Sequence, residues 1–262
     1  MSVLPSDLYR MSNIFFGFFR VVGEFSLFNW HILSFSGNIR KRFYEITKQI
    51  KRIGYDSLPL IAVTSAFTGL VTSVQASYQT GGYIPKSLIG VLVGKSTMIE
   101  LAPVLTALVL AGKAGASIAA EIGTMKVSDQ LDALETMAVD PSDYLYFPRI
   151  VAGMIAVPML TIFSNIISIF AAFYLSTLKY NINSYSFFNN MKNFFEPSDL
   201  WGGLVKSFLF GLVITTIACF AGSKTSGGAE GVGKTATVTV VYSSILILVT
   251  DFTVAIFLFG SA

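Results

Sequence analysis

Hydrophobic positions in this chain come in long blocks rather than short alternations. Five blocks carry little or no charge: residues 58–77, 87–112, 150–178, 201–222 and 235–260. Each is close to the roughly 20 residues that a helix rising about 1.5 Å per residue needs to cross a bilayer core. The pattern therefore predicts five transmembrane helices. Polar and small residues between them predict outer loops at 78–86 and 180–200, the second with room for a short surface helix. A glycine-rich inner loop is predicted at 223–234. The chain opens differently. Residues 13–36 are rich in Phe but interrupted by Arg20, Glu24 and His31, which fits a helix lying in the membrane interface better than one crossing it.

The join between the second and third blocks has its own pattern. From Ala111 the residues turn small, and pairs such as Ala111/Gly115 and Gly112/Ala116 have the spacing that lets helices approach closely. Residues 117–138 then mix charge and apolarity with helical period. Ile122, Met125, Leu131, Leu134 and Met137 share a broad face, while Lys126, Asp129, Asp132 and Glu135 occupy much of the rest. Such a helix is too polar to span, and Asp140-Pro141 should close it.

Composition agrees. The chain is 53% hydrophobic and 13% charged, against about 25% charged for a soluble domain. The expectation is an all-α integral membrane protein of one domain, residues 1–262. Arg40, Lys41, Arg42, Lys48, Lys51 and Arg52 crowd before the first span and favour a cytoplasmic N-terminus. Five crossings then put the C-terminus on the opposite, outer side. Beside an apolar span this cluster reads as a topology signal and an anionic-lipid contact, not as a nucleic-acid site. One cysteine, Cys219, and one histidine, His31, leave no basis for a cysteine cluster, a histidine metal site or a histidine-assisted nucleophile.

The residues with chemistry to offer are charges inside spans. Lys95, Glu100 and Asp251 lie in apolar sequence, where a charge is expensive and usually faces a wet cavity or a partner charge. Pro103 should kink the second span or loosen its hydrogen bonding. Glu100 and Asp251 could serve an ion-coupled carrier, pair with Lys95, or line a cavity for an amphiphile. Residues 228–235, GAEGVGKT, spell the phosphate-binding pattern G-x-x-x-x-G-K-[ST]. That motif works between a strand and a helix of an α/β domain, and here both neighbours are membrane spans.

The segment ELAPVLTALVLAGKAGASIAAEIGTMKVSDQLDALETMAVDP (residues 100–141) resembles the signature of MlaE/YrbE-type ABC permeases. GGAEGVGKTATVTVVYSSILILVTDF resembles that family's C-terminal loop and last span. The likeness runs over almost the whole chain. It departs at two positions where the family suggests arginine: here stand Ile99 and Lys234. The resemblance implies a homodimeric permease of the bacterial inner membrane, although related permeases also occur in plastid envelopes. It would work with a separate cytoplasmic ATPase that binds the ATP and with an MCE-domain protein, and it would move phospholipid or a related lipid between membranes. Glu121, Lys126, Asp129, Asp132 and Glu135 would then belong to a coupling helix, and Glu100, Lys95, Asp251 and Pro103 to the lipid cavity. The rival reading is an ion-coupled secondary carrier using Glu100 and Asp251.

Overall fold

The computed structural model describes residues 5–35, 37, 39–80, 85 and 88–259. Helix α1 spans Pro5–Leu33, α2 Phe43–Ile53 and α3 Leu58–Thr80. The second crossing is a broken run: α4 Ile89–Ser96, a π-turn Thr97–Leu101, α5 Ala102–Leu110, a second π-turn Ala111–Gly115, and α6 Ala116–Val127. After α7 (Gln130–Thr136) a third π-turn, Ser142–Tyr146, leads into α8 Phe147–Tyr180. Helices α9 Ser184–Asn193, α10 Pro197–Ser223 and α11 Gly228–Phe259 complete the chain. Among the described residues five stretches are long and apolar enough to cross a membrane, and they coincide with the five predicted blocks. The protein is an all-α multi-pass membrane protein. The turn expected around Gly81-Gly82 lies outside the described residues.

Lipid tails are as apolar as side chains, so spans adhere through close contact and polar pairs rather than through the hydrophobic effect. Helices α3 and α8 show both. Gly69 lies directly against the Ser168 backbone. The Ser168 hydroxyl donates to the Ser65 carbonyl at 2.8 Å, Ser65 donates to Ser164 at 2.7 Å, and Ser73 pairs with Ser176 at 2.8 Å. Helices α8 and α10 meet at Gly153 and Gly211, whose backbones leave no room for a Cβ. Gly211→Val is expected to wedge these helices apart, costing about 3 kcal/mol, as a thermal-unfolding scan in detergent would show. Gly112→Ala should be silent in the same scan, because nothing lies within 4 Å of the position of a Cβ there. The small-residue run is therefore not uniform: Gly115 packs on Ile214 of α10, whereas Gly112 packs on nothing.

Two sequence expectations need correction. Residues 117–138 do not form one helix. Asp129 adopts a left-handed conformation (φ 55°) that separates α6 from α7, and Ala138 does the same (φ 60°) after α7. Aspartate tolerates that region better than most residues. Within the shared face, Ile122 and Leu131 are buried, but Met137 is exposed. The glycine-rich inner loop is also shorter than expected, because α11 begins at Gly228 after left-handed backbone at Gly227 (φ 88°) and Gly228 (φ 69°). The GAEGVGKT letters thus lie on the first two turns of a long helix, not in a loop that could wrap a phosphate. Of the basic cluster before the first span, Lys48, Lys51 and Arg52 lie on α2, whose Ile46 and Ile53 are buried, and Gly54 rests on Ala156 of α8.

Helix α1 docks its second half on the end of α10. Phe25 and Phe28 meet the Phe220 ring edge-on at 5.2 and 5.5 Å, and Lys224 bonds Glu24. The Lys224 ammonium, then the Arg20 guanidinium, hold the Glu24 carboxyl below its ordinary value. Leu27, Trp30 and Leu33 stay exposed, as suits a helix with one face on lipid.

Candidate functional site

The first π-turn shapes the site. Proline at the second position of α5 has no N–H to donate, and the turn before it widens to π geometry. Gly203 of α10 sits so close to this turn that an added Cβ would strike the Met98 carbonyl and approach Pro103 to 3.2 Å. That contact aims Glu100 across the seam at α10. There the Lys206 ammonium, fully buried, donates to the Glu100 carboxylate and lies 2.9 Å from Asp251 of α11. Glu100 is the open member, with 41% of its side chain exposed. Lys206 is nine residues beyond Pro197 and Asp251 eight before Phe259, which puts the cluster about 12–14 Å inside the helix ends.

Two carboxylates share one ammonium. Fully ionised, the cluster carries one excess negative charge in a region where uncompensated charge is costly. It can accept a proton, or it can receive a cationic or hydroxyl-bearing group through the exposed edge of Glu100. It disfavours a bare anion.

The predicted residues divide accordingly. Glu100 and Asp251 converge, Pro103 supports the turn that carries Glu100, and Lys95 is elsewhere. Lys95 pairs instead with Glu196 at 3.0 Å and Asp199 at 3.4 Å, tying α4 to the start of α10. Lys206 was absent from the predicted site. Its signal was legible: it is the one cation between residues 201 and 222, facing two carboxylates in other spans. The apolar block alone places Lys206 near the outer end of its span, but the fourth helix starts at Pro197, four residues earlier, so Lys206 sits deeper.

At the opposite end of the bundle lies a second group of charges. Lys126 donates to Asp132 at 2.8 Å, bracing α6 against α7. Asp129, Asp132 and Glu135 are exposed, and only Leu131 of α7 is buried. A cleft of about 450 Å³ beside α7 is lined by His31, Glu135, Asp140 and Tyr146 among others. His31, bonded to Asp140 at 3.1 Å, closes one side of it, and nearby Arg42 bonds Asp143 at 2.5 Å. The Asp143 hydrogen bond keeps the Arg42 guanidinium above its ordinary value. Glu121 faces inward, between Arg52 and Arg149.

The family described as "Permease MlaE" matches residues 46–257, which takes in most of the bundle, the Glu100–Lys206–Asp251 cluster and the acidic residues of α7. The chain belongs to the MlaE permease family. Among its relatives, a probable ABC transporter permease protein of Rickettsia felis is 40% identical over 237 residues, covering 90% of this chain and 91% of the relative. An intermembrane phospholipid transport system permease protein MlaE of Haemophilus influenzae is 35% identical over 245 residues, covering 93% and 94%. The chloroplastic protein TRIGALACTOSYLDIACYLGLYCEROL 1 of Arabidopsis thaliana is 35% identical over 215 residues, covering 82% of this chain and 61% of that protein. As an MlaE-family permease, the chain is a transporter subunit, consistent with the sequence resemblance.

Proposed function

We propose that this permease, as a homodimer, moves phospholipid or a related lipid between membranes, driven by a separate cytoplasmic ABC ATPase and working with an MCE-domain protein. The observation that carries the reading is the end-to-end likeness to a relative described as an intermembrane phospholipid transport permease. The geometry supports it. A half-exposed Glu100 deep in the bundle is untenable against lipid, so a second copy covering that edge would turn it into a cavity wall. Helix α11 has room for such a partner: only 11% of its most apolar stretch is buried, against 50–56% for the three preceding spans. Apolar walls would take acyl chains, and the Glu100–Lys206–Asp251 cluster would meet the headgroup.

Helix α7, with Asp129, Asp132 and Glu135 on its surface and Lys126 behind it, would be the grip for the ATPase, the subunit that binds ATP. The basic end, with α2 and α7, would face the cytoplasm of a bacterial inner membrane. The N-terminus would then be cytoplasmic and the C-terminus periplasmic. The test is reconstitution into liposomes with a cytoplasmic ABC ATPase and an MCE-domain protein from the same organism. ATP-dependent transfer of labelled phospholipid is the expected result. Transfer that follows a proton gradient without ATP would instead identify an ion-coupled carrier using Glu100 and Asp251.

A further inference from the structure

At the basic end of the bundle α6 lies on one side of α10 and α8 on the other, with α8 packed on α10 at Gly153 and Gly211. Helix α6 packs chiefly on α10 and α11, while α2 and α3 pack chiefly on α8. At Gly123 and Gly222 α6 makes close contacts on the α10 side: a Cβ on Gly123 would strike the Thr225 hydroxyl, and one on Gly222 would strike Ile122. Between α6 and the α2–α8 group the links are ionic and polar instead. The two oxygens of Glu121 are divided between two cations on the α2–α8 side: Oε2 accepts from Arg52 of α2, and Oε1 lies 3.1 Å from Nη2 of Arg149 of α8. Arg149 is 3% exposed and anchored by donating to the Leu145 carbonyl at 2.9 Å. Arg52 also reaches Ser117, one turn back on α6, at 3.4 Å. A second strut runs from Lys113, in the π-turn before α6, to the Asp56 carbonyl between α2 and α3.

We propose that Glu121 is a positioning residue inside the permease, an ionic clasp that carries displacement of α6–α7 into α8 and the α2–α3 junction. Glu121 therefore does not serve as a contact for the ATPase. The placement follows from the chemistry. A buried arginine needs a carboxylate, and a carboxylate that bridges two guanidiniums makes two charge-assisted links across a seam where side-chain packing is sparse. When α7 is pushed, α10 and α11 move with α6 through their close contacts. Helix α8 also rests on α10 through the Gly153–Gly211 contact, but α6 itself reaches α8 and the α2–α3 junction through Glu121 and Lys113. The inference rests on the proposed ATPase grip at α7.

The test replaces Glu121 by Gln, which keeps the shape and removes the charge, and Arg52 by Gln, which breaks the more exposed link and leaves Arg149 paired. Each variant is reconstituted with the ATPase, and three quantities are read: ATPase co-purification, ATP hydrolysis, and labelled phospholipid transferred per ATP. The expected result is unchanged co-purification with ATP hydrolysed per lipid raised about fivefold or more, and Glu121→Asp recovering part of the ratio. A merely structural role would lower the yield of folded complex but leave the ratio alone. Loss of co-purification in Glu121→Gln would make Glu121 an ATPase contact and overturn the proposal. So would a normal ratio in both variants. If the unaltered permease retains no ATPase, the proposed grip fails instead. Should Glu121→Gln not fold, Arg52→Gln decides alone.

Discussion

Lys206→Met is expected to abolish transport and to destabilise the protein markedly. The ammonium is fully buried between Glu100 and Asp251. Methionine fills the space but leaves two carboxylates facing each other at low dielectric. Removing one partner of a buried charge group costs about 3–5 kcal/mol, and in a chain of this size that lowers the melting temperature by about 10 °C. Adding Glu100→Gln and Asp251→Asn should restore most of that stability, since an uncharged cluster no longer needs the cation. It should not restore transport, because no charge remains to meet a headgroup. Thermal unfolding separates the two effects, and lipid transfer in liposomes reads the second. Near-normal transfer by Lys206→Met would remove the cluster from the pathway.

The second large effect concerns α7. Reversing Asp129, Asp132 and Glu135 to lysine is expected to strip the ATPase from the permease while leaving the bundle intact. All three side chains are exposed, and the one internal partner they lose is the Lys126–Asp132 pair. Exposed pairs contribute about 0–1 kcal/mol, and lysine at the left-handed Asp129 costs about 1 kcal/mol more, so folding should change only slightly. A grip built for acidic residues would then meet three cations. Like charges brought together at an interface cost several kcal/mol, which weakens binding by about 100-fold or more. Pull-down of the ATPase and lipid transfer should fall together, while the melting temperature drops by only a few degrees. Retention of both would place the grip elsewhere, the cleft beside His31 and Asp140 being the next surface to probe.

Particular residues show where sequence reasoning reached and where it stopped. The uncharged run at 58–77 needed no tertiary information, because a bilayer demands that length and apolarity of any crossing helix. Glu100 and Asp251 stood out for the same reason. Lys95 did not follow. It is five residues from Glu100 on the same span, but its partners Glu196 and Asp199 lie at the start of α10. A pairing between spans depends on which faces meet, and that is not written in either span. Asp129 shows a second limit. The 3.6-residue period continues through residues 117–138, yet one left-handed residue turns the chain, since the period records burial and not continuity of the backbone.

Periodic apolarity and the placement of charge decided class, crossing number and the residues under electrostatic strain, because each is a transfer energy that a segment experiences alone. Tertiary structure decided the rest. It brought Lys206 between Glu100 and Asp251, sent Lys95 to α10, and turned Glu121 inward to Arg52 and Arg149. Those choices follow from glycine contacts such as Gly203 on Met98 and Gly211 on Gly153, which set how closely the helices approach. Interactions between charges depend on distance and on the dielectric between them, and both exist only once the helices have packed.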